Sequence, residues 1–127
     1  MTTGLNSLTN GSRQVSSAIS DNREQYADFE LVVTYGSAPT ADAPVYLYFL
    51  KSPDGTNTED GSTSVTPSAA PDVIFTVRAV TSAQRVVRGR VVLPNGDYTV
   101  LLVNAAGQTM AASGNTLKMW TYNDELQ

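Results

Sequence analysis

From Tyr26 to Tyr35 the chain alternates strictly enough to exclude a helix. Ala27, Phe29, Leu31, Val33 and Tyr35 point one way, and Asp28, Glu30, Val32 and Thr34 point the other. A period of two marks a strand with one buried and one wet face, whereas a helix would scatter these side chains around its circumference. The Gly36-Ser-Ala-Pro39 stretch ends the strand, since glycine and proline punctuate regular structure.

The rest of the chain divides into similar short runs. Gln14 to Ile19 is a first strand candidate, followed by a polar connection over Asp21-Asn-Arg-Glu24. Pro44 to Leu50 is apolar on both faces, as expected of a strand covered on both sides. Ser52-Pro-Asp-Gly55 is a turn in which proline presets φ and glycine supplies a positive φ. Thr56 to Pro71 reads as a long polar loop. Val73 to Val80, Gln84 to Leu93, Tyr98 to Val103, Gln108 to Ala112 and Thr116 to Tyr122 are further strands. The Asn95-Gly96 pair between the second and third of these predicts a tight hairpin. Nothing carries a helical period. Short strands at regular spacing predict an all-β antiparallel sandwich, jelly-roll-like, with seven or eight strands. Phe29, Leu31, Val33, Leu47, Phe75, Val77, Val100 and Leu102 are its expected core.

The length of 127 residues fits one domain. Residues 1–12 are polar and aperiodic, so they are expected to form an extended arm, with the sandwich over 13–127. Leu5 and Leu8 are the arm's apolar residues and its candidate anchors in a partner.

Charged residues make up only 16% of the chain, with 8 basic and 12 acidic residues for a net charge of -4. That balance argues against nucleic acid as a partner, which would call for clustered lysine and arginine. The Arg85, Arg88 and Arg90 stretch reads as a solvated strand face. Cysteine and histidine are absent, which removes thiol and imidazole ligands and catalysts, so no cofactor, metal or triad is expected. No apolar run approaches the roughly 20 residues that cross a bilayer, and the first residues lack the apolar segment of a secretory signal. The expectation is a soluble protein made in its producer's cytoplasm, without a membrane partner.

Three groups invite a chemical reading. The Asp54-Gly-Thr-Asn57-Thr-Glu59-Asp60-Gly61 loop is rich in oxygen but lacks the spacing of a calcium-binding helix–loop–helix, so a solvated loop competes with a cation site. Asp28 with Glu30, and Asp124 with Glu125, are paired carboxylates of the type used in glycoside hydrolysis; a wet strand face accounts for the first pair. Tyr35, Tyr46, Tyr48, Tyr98, Trp120 and Tyr122 either stack on sugars or pack a core or subunit interface.

The segments Arg13-Gln-Val-Ser-Ser-Ala18-Ile19-Ser20, Val45-Tyr-Leu-Tyr48, Asp54-Gly-Thr-Asn57 and Glu59-Asp60-Gly61 resemble small β-sandwich structural proteins of tailed bacteriophages. The Lys118-Met-Trp-Thr-Tyr122 run lies outside the resemblance. What it implies is a non-catalytic virion component assembled in the host cytoplasm. The first form is a capsid decoration (cement) subunit, a homo-oligomer and a trimer by implication of the family, on the major capsid protein lattice or other virion proteins. The alternative is a carbohydrate- or receptor-binding module of a tail or head fibre. A glycan-degrading enzyme is the third class. Leu5, Leu8, Tyr46, Tyr48, Trp120 and Tyr122 are the expected partner-binding residues.

Overall fold

The computed structural model describes residues 4–123. They form eight strands and no helix: β1 Arg13–Val15, β2 Ile19–Asn22, β3 Tyr26–Val33, β4 Ala43–Ser52, β5 Val73–Val77, β6 Gln84–Val92, β7 Gly96–Asn104 and β8 Thr116–Tyr122. All pair antiparallel, in two sheets. The five-stranded sheet runs β1-β7-β4-β5, with β2 also on β7, and the three-stranded sheet runs β6-β3-β8. β1 and β2 lie along successive parts of β7, opposite Leu101–Val103 and Gly96–Tyr98. Ser16 bridges the break, its N–H donating to the Val100 carbonyl at 2.8 Å and its hydroxyl accepting from the Val100 N–H at 3.0 Å.

The inner faces of the two sheets meet in one core. All eight residues expected there are buried, and the rings of Phe29 and Phe49 pack across it with centroids 5.8 Å apart. β4 and β7 also bury a second cluster on their outer face, where Tyr48 and Leu50 meet Leu101 and Val103. The polar 53–72 segment folds back towards it. Glu59 exchanges bonds with Lys51, its N–H donating to the Lys51 carbonyl and its carboxylate accepting from the Lys51 N–H. The Arg13 guanidinium donates to the Thr63 carbonyl and the Thr66 hydroxyl. Gly61 sits so close to Leu50 that an added Cβ would lie 2.8 Å from its Cδ2. The apolar character of both faces of β4 thus has two covers, a sheet and a loop.

Three expectations are corrected. The Asn95-Gly96 turn reverses the chain but makes no hairpin: β6 pairs with β3 and β7 with β4, in different sheets. The buried Asn22 carboxamide donates to the Pro94 carbonyl at 2.7 Å and holds this crossing in place. Turn chemistry sets where a chain reverses; which sheet receives each strand is set by its two faces, and β7, buried on both, takes a central place. Gln108 to Ala112 contributes only a single bridge, Met110 to Tyr35.

The third correction concerns the arm. Within it, residues 4–12 are packed against the sandwich, with Leu5 and Leu8 buried in the main core. Their backbone is paired too: the Ser7 N–H donates to the Ala111 carbonyl, the Met110 N–H to that of Leu8, and the Gly11 N–H to that of Asn104. Buried Asn104 and Asn115 complete the attachment, donating to the Leu8 carbonyl and the Asn6 side chain at 3.0 Å each. A polar segment needs few apolar residues of its own when distant parts of the chain satisfy its backbone. Residues 1–3 lie outside the described residues.

Candidate docking face on the three-stranded sheet

Register determines which side chains share the outer face of the three-stranded sheet. Trp120 lies opposite Asp28, Tyr122 opposite Tyr26, and Lys118 opposite Glu30 on the β8 side. On the β6 side Val92 lies opposite Tyr26 and Val87 opposite Glu30. Directly opposed side chains on one face are about 5 Å apart at Cβ, so these rows form one continuous surface.

A bulge organises its centre. The β3–β6 register shifts between Ala27 and Phe29, and Arg90 there takes a left-handed backbone with φ 53°. The Arg90 N–H donates to Asp28 Oδ1 at 2.9 Å, and the same oxygen accepts from the Tyr122 hydroxyl at 3.3 Å. Bulges re-aim side chains, and here the Arg90 guanidinium stands over the Tyr26 ring, 4.4 Å from its centroid. Tyr26 and Tyr122 stack at 5.8 Å with their planes tilted by 31°. Glu30 pairs with Arg85 at 3.4 Å. Beside this ordered group Trp120 is 53% exposed, Val87 53% and Val92 70%.

The face joins an exposed indole, two stacked phenols, an arginine and two bare valines. Tyrosine, tryptophan and arginine are the residues on which protein interfaces concentrate binding energy. A left-handed arginine costs about 1–2 kcal/mol relative to the ordinary helical or extended backbone, and such strain is characteristic of functional positions.

Of the six expected partner-binding residues, only Trp120 and Tyr122 fall on this face. Leu5 and Leu8 fill the core and Tyr48 is buried in the second cluster, so they cannot anchor a partner in this fold. Tyr46 is half-buried on the outer face of the other sheet, opposite Val103 and Ile74. Tyr35 and Tyr98 are core residues. Tyr26, Arg90, Val87 and Val92 complete the face and were not expected in it. Tyr26 is in phase with Asp28 and Glu30, which already places it on the wet side, and Gly89 inside a strand signals the bulge.

The other chemical candidates resolve into local structure. Asp54 accepts from the backbone N–H of Asn57 and Thr56 and from the Asn57 carboxamide at 2.7, 2.8 and 2.9 Å, and these bonds hold its carboxyl down at about 2. Glu59 is engaged with Lys51. Among the described residues no three Asp or Glu side chains gather where a metal ion could be held. Asp28 and Glu30 belong to the docking face, and Asp124 and Glu125 lie outside the described residues.

Comparison of the chain with protein-family models, curated proteins and solved structures finds no match.

Proposed function

We propose that this chain is a non-catalytic binding domain, a structural subunit of a tailed-phage virion that attaches to the major capsid protein lattice through the outer face of its three-stranded sheet. The observation that carries the docking surface is the strained Arg90, held over Tyr26 beside the exposed Trp120. The virion setting rests on the sequence resemblance. The all-β antiparallel fold in two sheets is compatible with that setting. With residues 4–12 built into the fold, the sheet face takes over the attachment role expected of an arm. Self-association, a trimer by family expectation, adds avidity on a symmetric shell.

The test is co-sedimentation with capsids assembled without this subunit. W120A should lose about 2 kcal/mol or more of attachment, the scale of an interface hot spot. R90G should keep the fold, because glycine accepts the left-handed backbone, yet lose attachment with the guanidinium. Wild-type binding by both variants would overturn the docking face. The registered pairing of exposed Trp120 with Asp28 favours one second reading, a glycan-binding module, in which a ring stacks on the indole and hydroxyls reach the carboxylate. Saturable binding on a glycan array, lost in W120A, with no capsid binding, would establish that reading instead.

A further inference from the structure

We infer that the cleft between the 52–58 turn and the start of β7 binds a neutral saccharide. Ser52 and Asp97 lie directly opposite each other where β4 ends and β7 begins. Their side chains therefore share the outer face of the five-stranded sheet, about 5 Å apart at Cβ. The Ser52-Pro-Asp-Gly55 turn folds over them. The Gly55 N–H donates to the Ser52 carbonyl at 3.2 Å, and an added Cβ at Gly55 would lie 3.0 Å from Asp97 Oδ2. Asp97 Oδ1 accepts from the Asp21 N–H at 2.7 Å, which fixes the carboxylate and leaves Oδ2 turned to the cleft.

Ser52 is only 9% exposed, and among the described residues its buried Oγ has no hydrogen-bond partner. A buried hydroxyl left unpaired is costly, so it calls for a partner from outside the chain. Ser52, Gly55 and Asp97 line two cavities of about 430 and 150 Å³, the larger within the roughly 300–1,000 Å³ range of ligand sites. The remaining walls set the ligand's chemistry. Lys51, Asp54 and Asn95 border the larger cavity, and Ser20, Thr56, Thr58 and Thr99 the smaller. The two carboxylates repel an anion. Among the described residues the Lys51 ammonium has no carboxylate partner and opposes a metal ion, for which no third acid is at hand. An apolar ligand would strip water from these groups without replacing its bonds. A sugar hydroxyl donates and accepts at once, so a saccharide can donate to Asp54 and Asp97, accept from Lys51 and Asn95, and pair with Ser52 Oγ. This site lies on the other sheet from the docking face, and either can fail alone.

The probes are maltose, cellobiose, lactose, trehalose and sucrose, each titrated into the full chain and followed through its backbone amide resonances. At least one should shift the Gly55 and Gly96 amides saturably. S52A removes the unpaired hydroxyl, so it should keep or raise the melting temperature while weakening the bound sugar about tenfold or more. No saturable shift from any of the sugars, or equal affinity in S52A, overturns the inference. Shifts confined to β8 around Trp120 also overturn it, placing the sugar on the docking face. A response of the Gly55 and Gly96 amides to calcium chloride alone overturns it too, making the cleft a cation site.

Discussion

Two side chains show how local contacts set ionisation. The Asp54 carboxylate is surrounded by N–H donors of its own turn, the Asn57 backbone first, and titrates at about 2 instead of 3.8. A folded value below the unfolded one means the bonds contribute fully above the unfolded value and are lost as pH falls through the folded one. The Thr56 and Asn57 amide resonances should therefore hold their shifts on acidification until about pH 2; movement centred near 4 would refute the capped turn. Tyr35 behaves in the opposite sense. Burial pushes its phenol up to about 12 from 10, so the neutral ring stabilises the fold below pH 10 and that contribution disappears as pH rises through 12. Its hydroxyl donates to the buried Asn104 side chain at 3.4 Å. An alkaline absorbance titration should find Tyr35 ionising last, with unfolding, and Y35F should remove that step.

Among elements, the N-terminal segment and the 53–72 cover matter most. Leu5 is fully buried, so L5A should cost about 2–5 kcal/mol in urea unfolding. The Ser7 and Gly11 amides, which donate to Ala111 and Asn104 carbonyls, should be protected from hydrogen exchange; an unprotected segment and a harmless L5A would restore the arm. The cover depends on a close approach. An added Cβ at Gly61 meets Leu50 at 2.8 Å and Pro67 at 3.1 Å, so G61V should lift the segment. Faster proteolysis within 53–71, with the main core intact by near-ultraviolet dichroism, is the expected result. Equal cleavage rates would show that the segment covers nothing.

At the scale of the whole molecule, strands from both ends of the chain are needed at once. β1 pairs with β7, and β3 sits between β6 and β8. Pairings this distant in sequence make loop closure expensive in entropy and place the domain among slow-folding sandwiches, in the millisecond-to-second range. Unfolding should be one cooperative transition. Trp120 fluorescence and far-ultraviolet dichroism should give coincident curves; separated midpoints would mean that the three-stranded sheet melts independently.

The positions of β3, β4, β6, β7 and β8 were legible in the chain because alternation and turn residues are local, and the core followed from the same alternation. The two-sided burial of β4 was equally visible in its continuous apolar run. Partnership between elements was not visible. The Asn95-Gly96 reversal looks the same whether its strands join one sheet or two, and Leu5 and Leu8 look like an arm until residues 104–115 are brought alongside. On the docking face, Trp120 and Tyr26 were each readable as wet-side residues, but they lie far apart in sequence and meet only through the β3–β8 register. Sequence alone determined the long strands and their buried faces, since both depend on side chains a few positions apart. Tertiary structure alone decided the sheet assignments, the packed N-terminal segment and the Arg90 bulge, because each depends on backbone pairing between distant segments.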